Sequence, residues 1–221
     1  MTYLLLAVFV SLVLSLDVFL HHRRRRVALA ASRAVQLPAS RQPPPDAYFH
    51  PGHTWVRLHS GDLASIGVSE FASNFAGQLA SIELPAEGRR LNQAERAGTL
   101  VSRGNRRLDL AMPIDGQVLA VNRELLDQPH LAQQHPYDRG WLLRVRPSKA
   151  GAALSNLLPA RAARAWLDAS RTLIARKLEP SIGAVLNDGG EFEPAFGERL
   201  TDEAWSSVQS ELFPVVRHAR S

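Results

Sequence analysis

The feature that most constrains the fold is a series of short apolar runs between Tyr48 and Pro147, separated by turn-forming residues. The runs are residues 55–58, 63–66, 79–84, 99–101, 108–110, 116–121 and 141–145. Many short strands at this spacing are typical of a small β-sandwich or β-barrel. One helix is expected to begin after Ser69, a good N-cap, and to end before Gly77. The sequence therefore predicts a mainly β domain at residues 47–149.

An apolar segment, Tyr3–Leu20, precedes this domain and contains one charged residue, Asp17. A helix of this length would reach roughly 27 Å, about the thickness of a bilayer core. Arg23–Arg26 follow it, and the positive-inside rule then places the rest of the chain in the cytoplasm. We predict a single-pass membrane protein with an anchor at residues 1–22 and a basic, Pro-rich tether at 23–46. A cleaved signal peptide is the alternative, but its positive charges would precede the apolar stretch.

The composition argues against several classes of function. The chain contains no cysteine, which excludes disulfides, thiol catalysis and iron–sulfur clusters. Its formal net charge is +5, but the excess of basic residues is concentrated in one local run, Arg23–Arg26. Because the basic residues do not form a general phosphate-binding surface, no nucleic-acid partner is expected. No metal-site spacing, Ser-His-Asp arrangement or glycine-rich phosphate loop is present. We therefore predict no catalytic residues, no metal site and no enzymatic activity.

Six sequence blocks of the β region follow one another in a defined order. They are His53 to Val56, Ile66 to Ala72, Gly77 to Gly88, Pro113 to Val118, Val121-Asn122 with Leu126 to Pro129, and Pro136-Tyr137 with Gly140 to Leu142. Together they resemble the glycine cleavage system H protein, although each block alone is weak. The resemblance implies a lipoyl-type, barrel-sandwich hybrid fold. It also implies lipoate on a lysine at a hairpin tip, where the lipoyl arm visits the enzymes of glycine cleavage in turn.

The position that matches the lipoyl lysine does not hold a lysine here. Aligning the family's hairpin pattern on Pro113 places the lysine position at Asn105. Asparagine cannot form the lipoyl amide, and Arg106 and Arg107 cannot replace the lysine because a guanidinium stays protonated. No lysine precedes Lys149 in the chain. Lipoate, the cofactor of the family, is therefore not expected on this protein.

The hairpin tip is unusually basic. Gly104 and Asn105 suit a tight turn with positive φ, and Arg103, Arg106 and Arg107 surround that turn with positive charge. Two interpretations stay open. The tip is either a docking site for an acidic surface or an anionic ligand, or a solvated turn that has drifted after losing its role.

Residues 150–221 are predicted to form a small α+β region, a helix, a hairpin and a second helix. The first helix is expected at Pro159–Leu178 and the hairpin at Ser181–Phe196. Thr201 or Asp202 would cap the second helix. The aromatic residues of this region either pack against the β domain or form a surface for a partner.

These observations predict a membrane-anchored, degenerate lipoyl-carrier domain that is not lipoylated. We expect it to act without catalysis as a docking module for lipoate-handling or redox enzymes. Its expected partners are proteins, with the glycine-cleavage and other lipoate-dependent enzymes as candidates. The main alternative is a structural subunit of a membrane complex. A working lipoyl carrier of glycine decarboxylation would need modification at Lys149 or Lys177, and neither lies on the hairpin.

Overall fold

The computed structural model of the chain describes residues 42–60, 62–148, 154–177 and 195–216. Among these residues, no helix combines the length and apolarity needed to cross a membrane. The predicted anchor at 1–22, most of the tether and most of the predicted hairpin at 181–196 lie outside the described residues.

Strands dominate the described part of the chain, as the apolar runs predict. The strands are β1 (Ala47–Phe49), β2 (Thr54–His59), β3 (Leu63–Val68), β4 (Leu79–Glu83), β5 (Arg90–Leu91), β6 (Arg96–Ser102), β7 (Arg107–Ala111), β8 (Gly116–Val121), β9 (Trp141–Pro147) and β10 (Leu158–Pro159). The helices are α1 (Glu70–Phe75), α2 (Arg123–Asp127), α3 (Leu131–Gln134), α4 (Ala160–Lys177), a 3-10 helix (Phe196–Arg199) and α5 (Asp202–Leu212). Each of the seven predicted runs coincides with a strand.

Within the described residues the strands form two antiparallel sheets that enclose one core. The larger sheet has the order β10-β1-β2-β3-β9-β8-β5, and the smaller has the order β4-β6-β7. Ile66 and Val145 from the larger sheet are fully buried, as are Leu100 and Leu108 from the smaller one, and all four belong to one apolar cluster. Both sheets bury one face against this cluster. The other face of the larger sheet is covered at β1 and β2, where Phe49 and Trp55 pack with Tyr137 in a second buried cluster, and it is exposed farther along, at Arg144 and Arg146. The prediction of a mainly β domain is confirmed.

The helix α1 begins where its cap predicts. The side-chain oxygen of Ser69 accepts a hydrogen bond from the backbone N–H of Ala72, at 3.2 Å, which satisfies a donor of the first turn. The helix ends before Gly77, whose φ of 88° is open to glycine but costly for other residues. This helix carries Phe71 and Phe75 into the core.

The C-terminal helices pack on the β domain. The predicted helix at 159–178 is observed as α4, and α5 follows Thr201, whose hydroxyl accepts from the Ala204 N–H. The Trp205 ring stacks on the Phe75 ring with centroids 4.2 Å apart and planes 9° from parallel. Phe213 stacks on the same ring at 5.1 Å. The aromatic side chains at 205 and 213 therefore pack against the β domain. The sequence left open whether they do so or form a surface for a partner, and packing is what is observed.

Candidate functional site

Of the predicted tip residues 103–107, the first four connect β6 to β7, and Arg107 is the first residue of β7. The N–H of Asn105 donates to the Ser102 carbonyl, and the N–H of Ser102 donates to the Arg106 carbonyl, both at 2.9 Å. The Ser102 hydroxyl also accepts from the Arg106 N–H at 3.0 Å. Of the tip residues only Asn105 has a positive φ, 60°, a region that asparagine tolerates better than most residues. The positive φ expected for the turn thus falls on Asn105 and not on Gly104.

The five tip residues do not form one exposed cluster. Arg103, Gly104 and Asn105 are exposed at the end of the hairpin, and Arg107 is also exposed. Arg106 is half-buried, with 21% of its side chain accessible. The basic character of the tip is therefore divided among arginines in different surroundings.

Arg106 binds the part of the chain at residues 195–216, which we call the C-terminal segment. Its guanidinium donates to the carbonyls of Gly197 and Leu200, both at 2.6 Å. It also pairs with the Asp202 carboxylate at 2.8 Å and lies 5.1 Å from the centre of the Trp205 ring. Leu200 follows the last residue of the 3-10 helix, and its N–H donates to the Gly197 carbonyl at 3.3 Å, so both carbonyls lie at the C-terminal end of this helix. Arg106 thus caps this helix and holds the segment against the hairpin.

Two further hydrogen bonds join the segment to the β domain beside the tip. The Gln209 side chain donates to the Arg107 carbonyl at 2.9 Å. The Glu198 carboxylate accepts from the backbone N–H of Gln78 at 2.6 Å. Together with Arg106, these bonds place the C-terminal segment along one side of the hairpin.

The other two arginines of the tip differ in their pairing. Arg107 forms an ion pair with Glu83 on β4, and this hydrogen bond lowers the pKa of the Glu83 carboxyl and raises that of Arg107. The backbone N–H of Arg103 donates to Gln78, but its side chain has no hydrogen bond or ion pair with the described residues. Arg103 therefore supplies the positive charge most available to a partner at the tip.

A buried histidine lies between the β domain and the C-terminal helices. His53 is fully buried, and its ring stacks on Trp166 at 4.2 Å and lies 4.6 Å from Phe71 and 5.1 Å from Phe213. Its Nδ1 is 3.4 Å from the Ser69 hydroxyl, and its Nε2 has no partner among the described residues. These contacts give His53 a structural role in the packing between the β domain and the C-terminal helices.

Acidification is expected to destabilise the protein through His53. Burial, with smaller contributions from the charges of Arg171 and His50, lowers the pKa of His53 from 6.5 to about 3. Between these values the unfolded chain binds a proton that the folded protein does not. The contribution of His53 to the free energy of unfolding is therefore complete above pH 6.5 and is lost as the pH falls towards 3. Between neutral pH and about pH 4 the loss should be about 3 kcal/mol.

Urea unfolding of the wild type and of His53→Gln over that pH range checks this expectation. The variant cannot take up the proton, so its stability should fall less steeply on acidification. His50 is present in both proteins, and burial lowers its pKa too, so its contribution cancels in the comparison. Parallel pH profiles for the two proteins would contradict the assignment.

The contact between the tip and the C-terminal segment has no local signal in the sequence. Arg106 is 91 residues from Gly197 and 96 residues from Asp202 along the chain. The aromatic residues near 205 indicate packing, but they do not show which surface they cover. Sequence reasoning therefore found the residues of the tip and missed the partners of Arg106.

The β domain matches known proteins over most of its length. The profile of the Glycine cleavage H-protein family matches residues 47–170. The glycine cleavage system H protein of Mycobacterium avium (strain 104) is 37% identical over 127 residues, which cover 56% of this chain and 96% of that protein. The H protein of Cyanothece sp. (strain PCC 7425) is 38% identical over 127 residues, 58% of this chain and 96% of that protein.

A solved structure is similar over the same part of the chain. The crystal structure of a glycine cleavage system H protein from Mycobacterium marinum aligns with a TM-score of 0.48 at 28% identity, covering 53% of this chain and 93% of that one. The C-terminal segment at 195–216 lies beyond the residues that the family profile matches.

Proposed function

The chain belongs to the glycine cleavage H-protein family, and from that premise we propose that it is a membrane-anchored member that carries no lipoate. Members of the family are lipoyl carriers rather than catalysts. In our proposal this protein keeps the carrier fold and uses it, without catalysis, to dock lipoate-handling or redox enzymes. The single observation that carries the proposal is the lack of an amine at the hairpin tip.

The residues of the tip do not fit a lipoyl group. Lipoate is attached as an amide, which requires a primary amine that is exposed. Asn105 is exposed at the end of the hairpin, but its side chain is a carboxamide, and the arginines beside it stay protonated. Lys149 follows the end of β9, and Lys177 is the last residue of α4, so neither lies on the hairpin.

We expect the full chain to remain unmodified when it is incubated with a lipoate–protein ligase, lipoate and ATP. Asn105→Lys should become lipoylated, because it restores an amine at the exposed tip. The left-handed φ of this residue costs a lysine only about 1 kcal/mol, and the hydrogen bonds of Ser102 hold the turn. Intact-mass measurement after the reaction distinguishes the two proteins.

Arg103→Lys is the matched control, since it adds one amine to the tip at a different position. Lipoylation of the wild-type chain would contradict the proposal that it carries no lipoate. Failure of Asn105→Lys to react, with the variant folded, would contradict the assignment of residue 105 to the lipoyl position.

Docking is proposed to use the exposed end of the hairpin around Arg103. Its charge, which has no partner in the part of the chain that the structure describes, favours an acidic surface on the partner. Exposed charges of this kind mainly steer association and respond to salt. Arg106 is unsuitable for the test, because reversing its charge would also break its bonds to the C-terminal segment. Arg103→Glu changes the tip while leaving those bonds in place.

Purification of the full chain from detergent-solubilised membranes, with mass spectrometry of the proteins recovered, tests docking. We expect glycine-cleavage or lipoate-attachment enzymes with the wild type, and their loss with Arg103→Glu or at high salt. Arg123→Glu, an exposed change at the start of α2, is the matched control. Recovery that is the same for all three proteins would contradict docking through the tip.

A structural subunit of a membrane complex is the second candidate. The engagement of Arg106 with the C-terminal segment favours it, because that contact covers one side of the tip. This role predicts a stoichiometric partner that is retained at high salt and is indifferent to the charge of Arg103. The same purification therefore separates the two candidates.

A further inference from the structure

The larger sheet carries arginines on its outward face. Residues paired across neighbouring strands point to the same face of a sheet. Arg57 on β2 pairs with Ser65 on β3, and Ser65 pairs with Arg144 on β9. The residues that flank Arg144 on β9, Leu143 and Val145, are fully buried in the core. Arg57 and Arg144 therefore lie on the outward face.

A second row extends this surface across the remaining strands. Arg146 lies two residues beyond Arg144 and so shares its face, and it pairs with Gln117 on β8. Gln117 pairs in turn with Arg90 on β5. We call the surface formed by Arg57, Arg90, Arg144 and Arg146 the arginine face.

The acidic residues near the arginine face, such as Asp138 in the cleft beside Arg57, come from segments outside its strands. The seven strands of the larger sheet contain no Asp or Glu. Arg57 pairs with Asp46, just before β1, at 3.1 Å. Arg90, Arg144 and Arg146 have no ion pair with the described residues. Three cations thus share one face of the sheet with no carboxylate partner in that part of the chain.

Apolar and aromatic side chains accompany these cations. The Arg144 guanidinium lies 4.8 Å from the centre of the Trp141 ring, which is half-buried. Leu119 and Ala120 together oppose Arg144 at a bulge in β8, and Leu119 is among the few exposed large apolar residues of the described chain. Arginine beside tryptophan and an exposed leucine is a composition suited to the interface of a membrane, where apolar parts meet charged headgroups.

The chain reaches this face from its N-terminal side. Pro43, Pro44 and Pro45 line a cleft with Arg57 and Tyr137, so the residues that lead into β1 lie beside the arginine face. The 41 residues before the described part contain Arg23–Arg26 and the predicted anchor. An anchor in the membrane would therefore keep the arginine face within the reach of this tether from the headgroups.

We propose that the arginine face binds the anionic phospholipid surface of the membrane, an inference that rests on the proposed anchor. Each arginine close to such a surface is attracted to it, and the attraction fades within a Debye length. The β6–β7 hairpin belongs to the smaller sheet, on the other side of the core. Binding through the arginine face directs the hairpin away from the lipid and leaves it open to protein partners.

Spin labelling of the full chain in nanodiscs tests the proposal. Because the chain has no cysteine, Leu119→Cys provides a single labelling site on the arginine face. The discs contain either phosphatidylcholine alone or an equal mixture of phosphatidylcholine and phosphatidylglycerol. We expect the label to be accessible to a water-soluble nickel chelate in the first and shielded in the second, with access restored at high salt. A label at Ser81→Cys, exposed on β4, should show no dependence on lipid.

Charge-reversed variants show whether the arginines cause the shielding. In anionic discs, Arg144→Glu with Arg146→Glu should lower the ratio of shielded to accessible label by roughly tenfold or more. Arg144→Gln with Arg146→Gln is a milder pair that should act in the same direction if the first pair fails to fold. Arg96→Glu with Arg103→Glu makes the same change of charge at exposed positions of β6 and the tip, and should leave the ratio unchanged.

Each outcome bears on one of the two proposals. Shielding that is equal in both lipids, absent from both, or unaffected by the substitutions at 144 and 146 would overturn the role of the arginine face. Failure of the chain to stay in phosphatidylcholine discs would contradict the anchor. In that case the same label, with phosphatidylglycerol vesicles added to the chain, still tests the face. Shielding that depends on a co-purified acidic protein and not on lipid charge would overturn the proposal that the arginine face binds phospholipid.

Discussion

Replacing Gly197 with alanine is expected to release the C-terminal segment from the β domain and to lower the free energy of unfolding by about 3 kcal/mol or more. A Cβ at this position would lie 1.7 Å from the Phe75 carbonyl oxygen and 2.7 Å from the Trp205 ring. The first of these is a backbone atom of α1, and the Trp205 ring is held by stacking on Phe75. The 3-10 helix must therefore move away, and its aromatic contacts with the core are lost.

Urea unfolding followed by tryptophan fluorescence measures the loss of stability, and limited proteolysis shows whether residues 195–216 become accessible. Gly104→Ala is the matched control. A Cβ at residue 104 would have its nearest neighbour, the Ser102 hydroxyl, at 3.8 Å, and the φ of Gly104 is not positive. We expect that variant to change stability by no more than about 0.5 kcal/mol. A Gly197→Ala protein as stable and protease-resistant as this control would contradict the packing described.

Arg106→Met is expected to lower the free energy of unfolding by about 3 kcal/mol, because it removes a charged donor from two buried backbone acceptors. The carbonyls of Gly197 and Leu200 would lose the partner that caps the 3-10 helix, and Trp205 would lose the guanidinium above its ring. Arg106→Lys should recover only part of the loss. A compact ammonium cannot reproduce the planar guanidinium that reaches both carbonyls from two nitrogens.

Thermal and urea unfolding of a small set of variants checks this expectation. Arg103→Met, at the exposed end of the same hairpin, should differ from the wild type by no more than about 0.5 kcal/mol. Asp202→Ala should have a similarly small effect, because its side chain is 96% exposed and surface ion pairs contribute little. If Asp202→Ala destabilised the protein as much as Arg106→Met, the ion pair and not the capping of the carbonyls would hold the segment.

The two substitutions bear on docking as well as on stability. The C-terminal segment lies along one side of the tip, and Arg106 joins the two. A partner that approaches from that side meets α5 and the 3-10 helix rather than the hairpin alone. The end around Arg103 and Asn105 stays exposed, and the proposed docking site is therefore smaller than the five tip residues suggest.

Local patterns in the sequence predicted the elements of the structure well. The apolar runs correspond to strands because alternation and turn residues act over a few neighbouring positions. Ser69 and Thr201 mark the starts of α1 and α5, since a capping hydroxyl satisfies a backbone donor only three residues away. The lack of an amine at residues 102–113 is likewise a property of the sequence alone, as the side chains present determine which bonds can form.

Only the tertiary structure decided which of these residues are available and which are engaged. The sequence does not distinguish the three arginines of the tip from one another. Packing makes Arg106 a cap for a helix about 90 residues away and leaves Arg103 exposed. It also buries His53 among aromatic rings and aligns Arg57, Arg144 and Arg146 on one face of a sheet. Burial and partnership depend on chain segments that are distant in sequence. The charge and pKa of a side chain at a site therefore follow from the fold, whereas its identity and its local conformation follow from the sequence.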